Sequence, residues 1–282
     1  MAPASGSPEP SALPVRRRGD KGQHRHLDHY SAHRVGRTGG SSWRYSHRMS
    51  ESHRLWAVVP VKRFAQTKRR LMPLLARHER GALARAMLAD VLSALMRTHA
   101  LAGVMVITGD ADAAAMAHAA GALVMADVEN TGTTAAVTQA ARHLAGAGRD
   151  GMLMVPADVP LITPADIEMI VVAHHAAPSV TLVPASVDGG TNALACSPPG
   201  AVLCCFGDNS LRRHREAARA CGIEPQILQL EHVGHDIDRP NDLATFLLRP
   251  SPTQSYAYLT ANGIAERLRR AHRDRCDEPR AG

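Results

Sequence analysis

Three aspartates have the residue type and the setting of a divalent-cation site. Asp158 follows the apolar run "GMLMVP" and stands between two prolines, while Asp236 and Asp238 are two residues apart in "HDIDRP". Side chains at that spacing on an extended segment point to one side, and Mg²⁺ prefers one or two carboxylates together with phosphate oxygens. Helix capping by Asp158 is disfavoured because Thr163 already occupies the cap position. We predict a Mg²⁺ site made of Asp158 with Asp236 or Asp238, and the sequence leaves open which of the pair binds the metal.

Basic residues gather after the first apolar run. Lys62 directly follows "LWAVVPV", and Lys68 and Arg70 come shortly afterwards in "TKRRL". Lysine offers a compact positive charge to the non-bridging oxygens of a triphosphate. A solvated basic turn has the same composition, but the position of Lys62 at a strand end aims its side chain into a cleft. We therefore predict a phosphate-binding loop that uses Lys62 and Lys68.

The stretch "GTNALACSPPGAVLCCFGDNSLRRHREAARACG" leads into a helix and contains a candidate anion site. Gly207 and Ser210 stand at the predicted helix start, just ahead of Arg212 and Arg213. Unpaired backbone N–H groups and a partial positive charge make a helix N-terminus a seat for phosphate or carboxylate. Ser210 as an ordinary N-cap of a surface helix is the alternative. The residues of this stretch leave both interpretations open.

The elements that must position these residues alternate along the chain. Helical patterns at 79–100, 111–121, 133–148 and 164–176 separate or follow short apolar runs, which occur at 55–61, 103–109, 122–127, 151–158, 179–185, 193–197 and 225–231. Such alternation predicts an α/β fold with a mostly parallel central sheet and helices on both faces. Ligands bind such sheets beyond the carboxyl ends of their strands, which is where Lys62 and Asp158 lie.

Charge and composition divide the chain into three parts. Residues 1–48 carry nine Lys and Arg against three acidic residues, a net of +6, so only +1 of the total of +7 belongs to the rest. We expect a disordered basic tail at 1–50, an α/β domain at 51–250, and a C-terminal amphipathic helix and tail at 251–282. That helix, predicted at 259–272, would pack on the body or on a second subunit of a homodimer.

The cysteines, the apolar runs and the aromatic content limit the cellular compartment and the partners that we expect. The five cysteines form no C-x-x-C pair, and no run of about 18 apolar residues occurs, so we expect a cytoplasmic protein without a membrane partner. A nucleic-acid-binding protein acting through the basic tail is an alternative of another class. It is disfavoured because the body is nearly neutral and the whole chain has three Phe, whereas nucleic-acid sites need a basic stripe or stacking aromatics.

Five motifs, in order, carry a resemblance to a known family: "VPVKRFAQTKRRL", "VPADVPLITPADI", "GGTNALACSPPG", "FGDNSLRRHREAARACG" and "DIDRPNDL". Over roughly residues 54–248 the chain resembles 2-phospho-L-lactate guanylyltransferase and its bacterial relatives that act on phosphoenolpyruvate or 3-phospho-D-glycerate. These enzymes serve the biosynthesis of coenzyme F420. The resemblance implies a Rossmann-like three-layer nucleotidyltransferase fold similar to that of molybdenum-cofactor guanylyltransferases.

The resemblance also implies roles for individual residues. The nucleotide would contact Lys62, Lys68, Arg70 and Thr133, with Lys62, Lys68 and Asp158 catalytic, and Mg²⁺ would be held by Asp158 with Asp236 or Asp238. The three-carbon phospho-acid would be bound by Thr191, Asn192, Gly207 and Ser210. The implied reaction transfers GMP from GTP and releases diphosphate, with direct hand-over of the product to the downstream transferase. We favour 3-phospho-D-glycerate as the acceptor because the Ala- and Arg-rich composition is typical of bacterial members.

Two departures from the family pattern bear on specificity. Many members carry Leu-Asn after the glycine that precedes the third helix, whereas here Gly132 is followed by Thr133 and Thr134, which puts base contacts there in doubt. The glycine-rich first loop of the wider nucleotidyltransferase class is replaced by "PVK" at 60–62. The second departure favours the phospho-acid branch over a molybdenum-cofactor-type or other nucleotidyltransferase, the alternative within enzymes.

Overall fold

Seven strands form one sheet in the part of the chain that the structure describes, which comprises residues 55–127, 131–268 and 270 of this computed structural model. The strands are β1 Leu55–Val61, β2 Gly103–Thr108, β3 Leu123–Ala126, β4 Gly151–Met154, β5 Ser179–Pro184, β6 Thr191–Ser197 and β7 Gln226–Ile227. The basic tail predicted at 1–50 lies outside the described residues.

The strands lie in the order β3-β2-β1-β4-β6-β5-β7. Strand β1 pairs in parallel with β2 and β4, β2 with β3, and β5 with β7, while β6 runs antiparallel to both β4 and β5. The prediction of a mostly parallel sheet is therefore confirmed. Because β1 and β4 are parallel neighbours, the segments that follow them emerge at the same edge of the sheet.

Two strands, β4 and β7, are much shorter than the sequence pattern predicts. Strand β4 ends at Met154 rather than at 158, since Pro156 has no N–H to continue a ladder, and Asp158 consequently lies in a turn. The run predicted as a strand at 225–231 forms only the two-residue strand β7. Its residues are exposed at the sheet edge, so an apolar run there is not evidence of a buried strand.

Helices cover both faces of the sheet, as predicted. They are α1 Arg77–Met96, α2 Ala111–Ala119, α3 Thr133–Gly146, α4 Pro164–Ala173, α5 Ser210–Ala220, α6 Glu231–Gly234, α7 Pro240–Leu247 and α8 Gln254–Ala261. Alternate residues of β1 serve the two faces: Ala57 and Val59 belong to the core beneath α1, and Val58 to the core beneath α3.

The C-terminal helix packs on the body. Asp90 of α1 accepts hydrogen bonds from the backbone N–H groups of Gln254 and Ser255 and from the Ser255 hydroxyl, and Leu259 is fully buried in the core. Helix α8 starts five residues before the predicted helix and ends at Ala261, and a turn at 262–263 separates it from a further helical stretch at 264–268. Positions 269 and 271–282 lie outside the described residues. No helix among the described residues is long and apolar enough to cross a membrane.

Candidate active site

A buried lysine joins two of the three aspartates. The Nζ atom of Lys68 donates to Asp158 Oδ2 at 2.6 Å and to Asp238 Oδ1 at 2.7 Å, and the Lys68 side chain is only 4% exposed. Burial acts to lower the pKa of Lys68, but the two carboxylates outweigh it and the pKa is raised. The ammonium is therefore charged at neutral pH and offsets part of the negative charge of the cluster.

The backbone at Lys68 is itself unusual. Lys68 has a φ of 54°, in the left-handed region, where it precedes the 3-10 turn Arg69–Leu71. This conformation costs a non-glycine residue roughly 1 kcal/mol or more. Strain of this kind persists where the surrounding contacts overdetermine it, and here two short ion pairs and the buried Leu71 hold the turn in place.

Backbone contacts bring the aspartates together from distant parts of the sequence. The carbonyl of Asp158 accepts from the N–H of Ile237 at 3.0 Å, which fastens the turn after β4 to the segment before α7. The side chain of Asp242, in the first turn of α7, accepts from the N–H groups of Asp238 at 3.1 Å and Arg239 at 2.7 Å. One oxygen from each of Asp158, Asp236 and Asp238 lies within 4.8 Å of the others.

Asp236 and Asp238 differ in their electrostatic surroundings. Burial and the charge of Asp158 raise the pKa of Asp236 to about 6, although Asn192 Nδ2 donates to its Oδ1 at 3.0 Å. Burial also acts to raise the pKa of Asp238, but the charge and hydrogen bond of Lys68 outweigh it and the pKa is lowered. Asp236 therefore carries negative charge that the protein leaves poorly compensated, whereas Asp238 is already paired.

A cleft of about 380 Å³ opens beside this cluster. The structure brings every predicted nucleotide residue to its wall. The residues from the prediction that line it are Lys62, Lys68, Arg70, Thr133, Asp158 and Asp238. Lys62 is exposed, and Arg70 Nη1 lies 3.5 Å from Asp238 Oδ2. Phe64, Ala84 and Met87 add an apolar part to the wall, which sequence reasoning missed because their spacing is that of ordinary core residues.

The predicted acceptor residues form a second cluster outside that cleft. The N–H of Leu211 donates to the carbonyl of Gly189 at 3.1 Å, so the turn before β6 is held against the start of α5. Thr191, Asn192 and Ser210 are all buried. The two clusters meet at the hydrogen bond between Asn192 and Asp236, which makes Asn192 the link between them.

The start of α5 corrects one of the two interpretations of its sequence. The N-cap is Asn209 in the left-handed region, with φ 53° and no side-chain capping bond, and Ser210 is the first helical residue. The interpretation of Ser210 as an N-cap is therefore wrong. Gly207 has φ 113°, which only glycine adopts without strain. The side chain of Asn209 does not cap the helix, and the N–H groups of Ser210 and Leu211 donate instead to the carbonyls of Gly207 and Gly189, each at 3.1 Å.

The two arginines after this turn have different surroundings. Arg212 Nη1 forms an exposed ion pair with Glu216 Oε1 at 2.8 Å, one helical turn away. Arg213 folds back, and its Nη2 donates to the carbonyl of Phe206 at 3.3 Å beside Gly207, while its Nε is buried with no hydrogen-bond partner among the described residues. Only Arg213 faces the Gly207 turn.

Sequence reasoning missed His214, which lies at the centre of the second cluster. The ring is 0% exposed, its Nδ1 lies 3.0 Å from Thr191 Oγ1, and its Nε2 accepts from the N–H of Cys205 at 2.8 Å. Burial and the charge of Arg213 lower the pKa of His214 to about 4. The spacing of four between Ser210, His214 and Ala218 marks one buried helix face and was the signal available in the sequence.

A family model described as "Guanylyl transferase CofC like" matches residues 55–278. The chain belongs to this family. It is therefore an enzyme of the nucleotidyltransferase class, a guanylyltransferase, as the resemblance implied. The match covers the whole sheet and both clusters, and it supports this assignment over the molybdenum-cofactor-type alternative. The alternative based on the basic tail concerns residues outside those described.

Named relatives of the chain differ in their acceptors. The chain is 35% identical over 189 residues to phosphoenolpyruvate guanylyltransferase of Conexibacter woesei, covering 67% of this chain and 85% of that protein. It is 32% identical to 2-phospho-L-lactate guanylyltransferase of Methanothermobacter thermautotrophicus, covering 72% and 88%. It is also 32% identical to 3-phospho-D-glycerate guanylyltransferase of Colwellia psychrerythraea, covering 69% and 92%. Such similar identities do not select one acid.

A solved structure supports the fold assignment. A Desulfovibrio desulfuricans protein described as a nucleotide-diphospho-sugar transferase aligns with a TM-score of 0.62 at 18% identity, covering 77% of this chain and 98% of that one. At this identity the likeness concerns the fold alone. The predicted nucleotidyltransferase fold is thereby confirmed.

Proposed function

We propose that this guanylyltransferase transfers GMP from GTP to a three-carbon phospho-acid and releases diphosphate, in the biosynthesis of coenzyme F420. The observation that carries the proposal is the Lys68 bridge between Asp158 and Asp238 at the edge of a cleft with Lys62 and Arg70 on its wall. Carboxylates beside an array of cations suit a triphosphate with its divalent ion. Family membership supports the guanylyl part of the proposal.

The three aspartates fit Mg²⁺ by two observations. Their oxygens lie close enough together for one ion to contact all of them, and the raised pKa of Asp236 indicates negative charge that a cation would relieve. Lys68 occupies one oxygen each of Asp158 and Asp238, and each carboxylate has a second oxygen to offer. Mg²⁺ bound by Asp158, Asp236 and Asp238 would supply neutralisation of phosphate charge.

The residues of the chain do the rest by position and charge. Lys62 and Arg70 contribute positive charge to the wall of the nucleotide cleft, where they would neutralise the departing diphosphate. Lys68 holds two carboxylates in fixed orientation and keeps their mutual repulsion low. Because the phosphate monoester of the acceptor is already a nucleophilic dianion, in-line attack on the α-phosphorus needs alignment more than a strong general base.

We assign the acceptor to the second cluster. Thr191, Asn192, Gly207 and Ser210 lie near the start of α5, where the helix dipole favours an anion. Asn192 connects this cluster to Asp236 through a 3.0 Å hydrogen bond, so an acid bound here would lie next to the metal site. Among the three acids of the named relatives we favour 3-phospho-D-glycerate, and we expect hand-over of the product to the downstream transferase.

A diphosphate-release assay tests the proposal. The protein is given Mg²⁺, GTP and, separately, 3-phosphoglycerate, phosphoenolpyruvate or 2-phospholactate, with the downstream transferase present to trap an unstable product. Diphosphate release that requires one acid, with ATP and CTP as nucleotide controls, would establish donor and acceptor together. If none of the acids supports release but another phosphorylated acceptor does, the phospho-acid assignment is wrong and nucleotidyl transfer is retained.

A further inference from the structure

One buried histidine has no direct role in the proposed reaction. It joins three segments around the acceptor cluster. His214, on α5, contacts Thr191 at the start of β6 and the backbone of Cys205 in the preceding loop. The ring of Phe206 packs edge-on against it, with 4.8 Å between ring centroids. A buried polar side chain with a partner on each ring nitrogen holds its neighbours in one arrangement.

The hydrogen-bond directions around His214 follow from its partners. The N–H of Cys205 can only donate, so Nε2 must be the unprotonated nitrogen of a neutral ring. Nδ1 then carries the proton and donates to Thr191 Oγ1. The lowered pKa of His214 agrees with a ring that stays neutral at physiological pH.

The direction of this hydrogen bond determines what the hydroxyl of Thr191 can do. Its oxygen accepts from His214, so its own hydrogen is left to donate, and within the part of the chain that the structure describes the hydroxyl has no second hydrogen-bond partner. Thr191 is only 6% exposed. A buried hydroxyl in this state is ready to donate to an anion at the start of α5.

The loop that His214 contacts is also held by a residue on the nucleotide side. The N–H of Phe206, next to Cys205, donates to Thr134 Oγ1 at 3.1 Å. Thr134 lies in the first turn of α3, directly after Thr133 on the wall of the nucleotide cleft. His214 and Thr134 therefore accept hydrogen bonds from two consecutive N–H groups of the loop that leads to Gly207.

We propose that His214 is a positioning residue for the acceptor, which orients the Thr191 hydroxyl as a donor to the acid's anionic group and holds the Cys205–Gly207 loop around it. This proposal rests on the proposed function, because it concerns the binding of that function's second substrate. His214 touches neither substrate in this account and acts through Thr191.

Two matched variants separate positioning from general support of the fold. The side-chain amide nitrogen of His214→Asn can replace the Nδ1 donor to Thr191, whereas His214→Gln reaches the Cys205 side and leaves Thr191 without a donor. Loss of a hydrogen bond that orients a contact to a charged group is expected to raise the acceptor KM about tenfold in His214→Gln. In His214→Asn the acceptor KM should stay within about threefold of the wild type, and the GTP KM should be unchanged in both variants.

Thr191→Val in the wild-type and His214→Gln backgrounds tests whether the histidine acts through the hydroxyl. The two changes should together raise the acceptor KM no more than Thr191→Val alone. His118→Gln, on the exposed end of α2, is the matched control. Additive effects, equal effects of Asn and Gln at 214, or a parallel rise of the GTP KM would overturn the proposal.

A separate measurement distinguishes this proposal from the proposed function. Should the wild type turn over none of the three acids, the proposed function fails, and the histidine is tested without turnover. Nuclear magnetic resonance of the ring nitrogens should then report the Nδ1–H form, and inorganic phosphate should bind the wild type more tightly than His214→Gln. An Nε2–H ring, or equal phosphate affinity in the two proteins, would overturn the role of His214.

Discussion

The two clusters of this enzyme bury polar side chains by opposite means. At the ends of β1 and β4, Lys68 stays charged between Asp158 and Asp238, and its pKa is raised. At the start of α5, His214 stays neutral between a hydroxyl and a backbone N–H, and its pKa falls to about 4. The first region supplies strong local charge, as phosphate transfer requires, and the second supplies fixed geometry where we propose that the acceptor binds.

The largest expected fall in activity follows the removal of a charge from the cluster of Lys68 and the three aspartates. Asp158→Asn should lower kcat by roughly 10²–10³-fold with the fold intact, because it removes one proposed metal ligand and one partner of Lys68. Steady-state kinetics with a circular dichroism melt would measure this. Asp150→Asn, at an exposed position just before β4, is the control and should have wild-type kcat. Unchanged turnover in Asp158→Asn would remove this aspartate from the active site.

Removing the cation should have the next largest effect. Lys68→Met leaves Asp158 and Asp238 facing each other without the ammonium between them, so kcat should fall by about a hundredfold. The excess negative charge should also make the melting temperature more dependent on added Mg²⁺ than in the wild type. Arg77→Met, at the exposed start of α1, serves as the control. A Lys68→Met enzyme with normal kcat would mean that the lysine is only structural.

The lowered pKa of His214 should make the stability of the protein depend on pH. The pKa of His214 is about 4 in the folded state against 6.5 as its ordinary value, so between these values the unfolded chain binds the proton first. The stabilising contribution is full above pH 6.5 and is lost as the pH falls toward 4. About 2 kcal/mol of the free energy of unfolding should disappear between pH 7 and 5.

Urea unfolding of the wild type and of His214→Asn at both pH values isolates this contribution, because other titrating groups cancel in the difference. The stability gap between the two proteins should narrow as the pH falls from 7 to 5. A gap that stays constant would show that His214 titrates in the folded protein as it does in the unfolded chain, and a gap that widens would show that it is charged in the folded protein.

The smallest expected effect separates the two arginines beside the second cluster. Arg213→Ala removes the guanidinium that faces the Gly207 turn and should raise the acceptor KM about tenfold. Arg212→Ala breaks only an exposed ion pair with Glu216 and should leave the acceptor KM within about twofold of the wild type. Equal acceptor KM values for the two variants would place Arg213 outside the acceptor site.

Much of the fold could be predicted because its signals are local. Strand β1 occupies the predicted residues 55–61, and Thr163 caps α4 through a hydrogen bond to Asp166 N. The lengths of β4 and β7 could not be predicted so well. An apolar run continues past a strand wherever the chain stays buried, and the ladder ends only where backbone partners run out.

The candidate site was predictable to the extent that it follows strand ends. Lys62 and Asp158 were placed at one edge because parallel neighbours end together, and the structure has them on the same cleft. His214 escaped notice because the four-residue spacing of Ser210, His214 and Ala218 indicates a buried face only weakly until the packing of that helix is known. Its partners, Thr191 and Cys205, lie 23 and nine residues away.

The sequence by itself determined the alternation of strands and helices, the family, and the residue types available for chemistry, because these depend on local pattern and motif order. Only the tertiary structure decided that Lys68 pairs with two carboxylates and that Asp236 lacks the positive partner that compensates the charge of Asp238. It also decided that Asn209, and not Ser210, is the N-cap of α5. Charge state and hydrogen-bond direction depend on burial and on partners far away in the chain, and those exist only once the chain has folded.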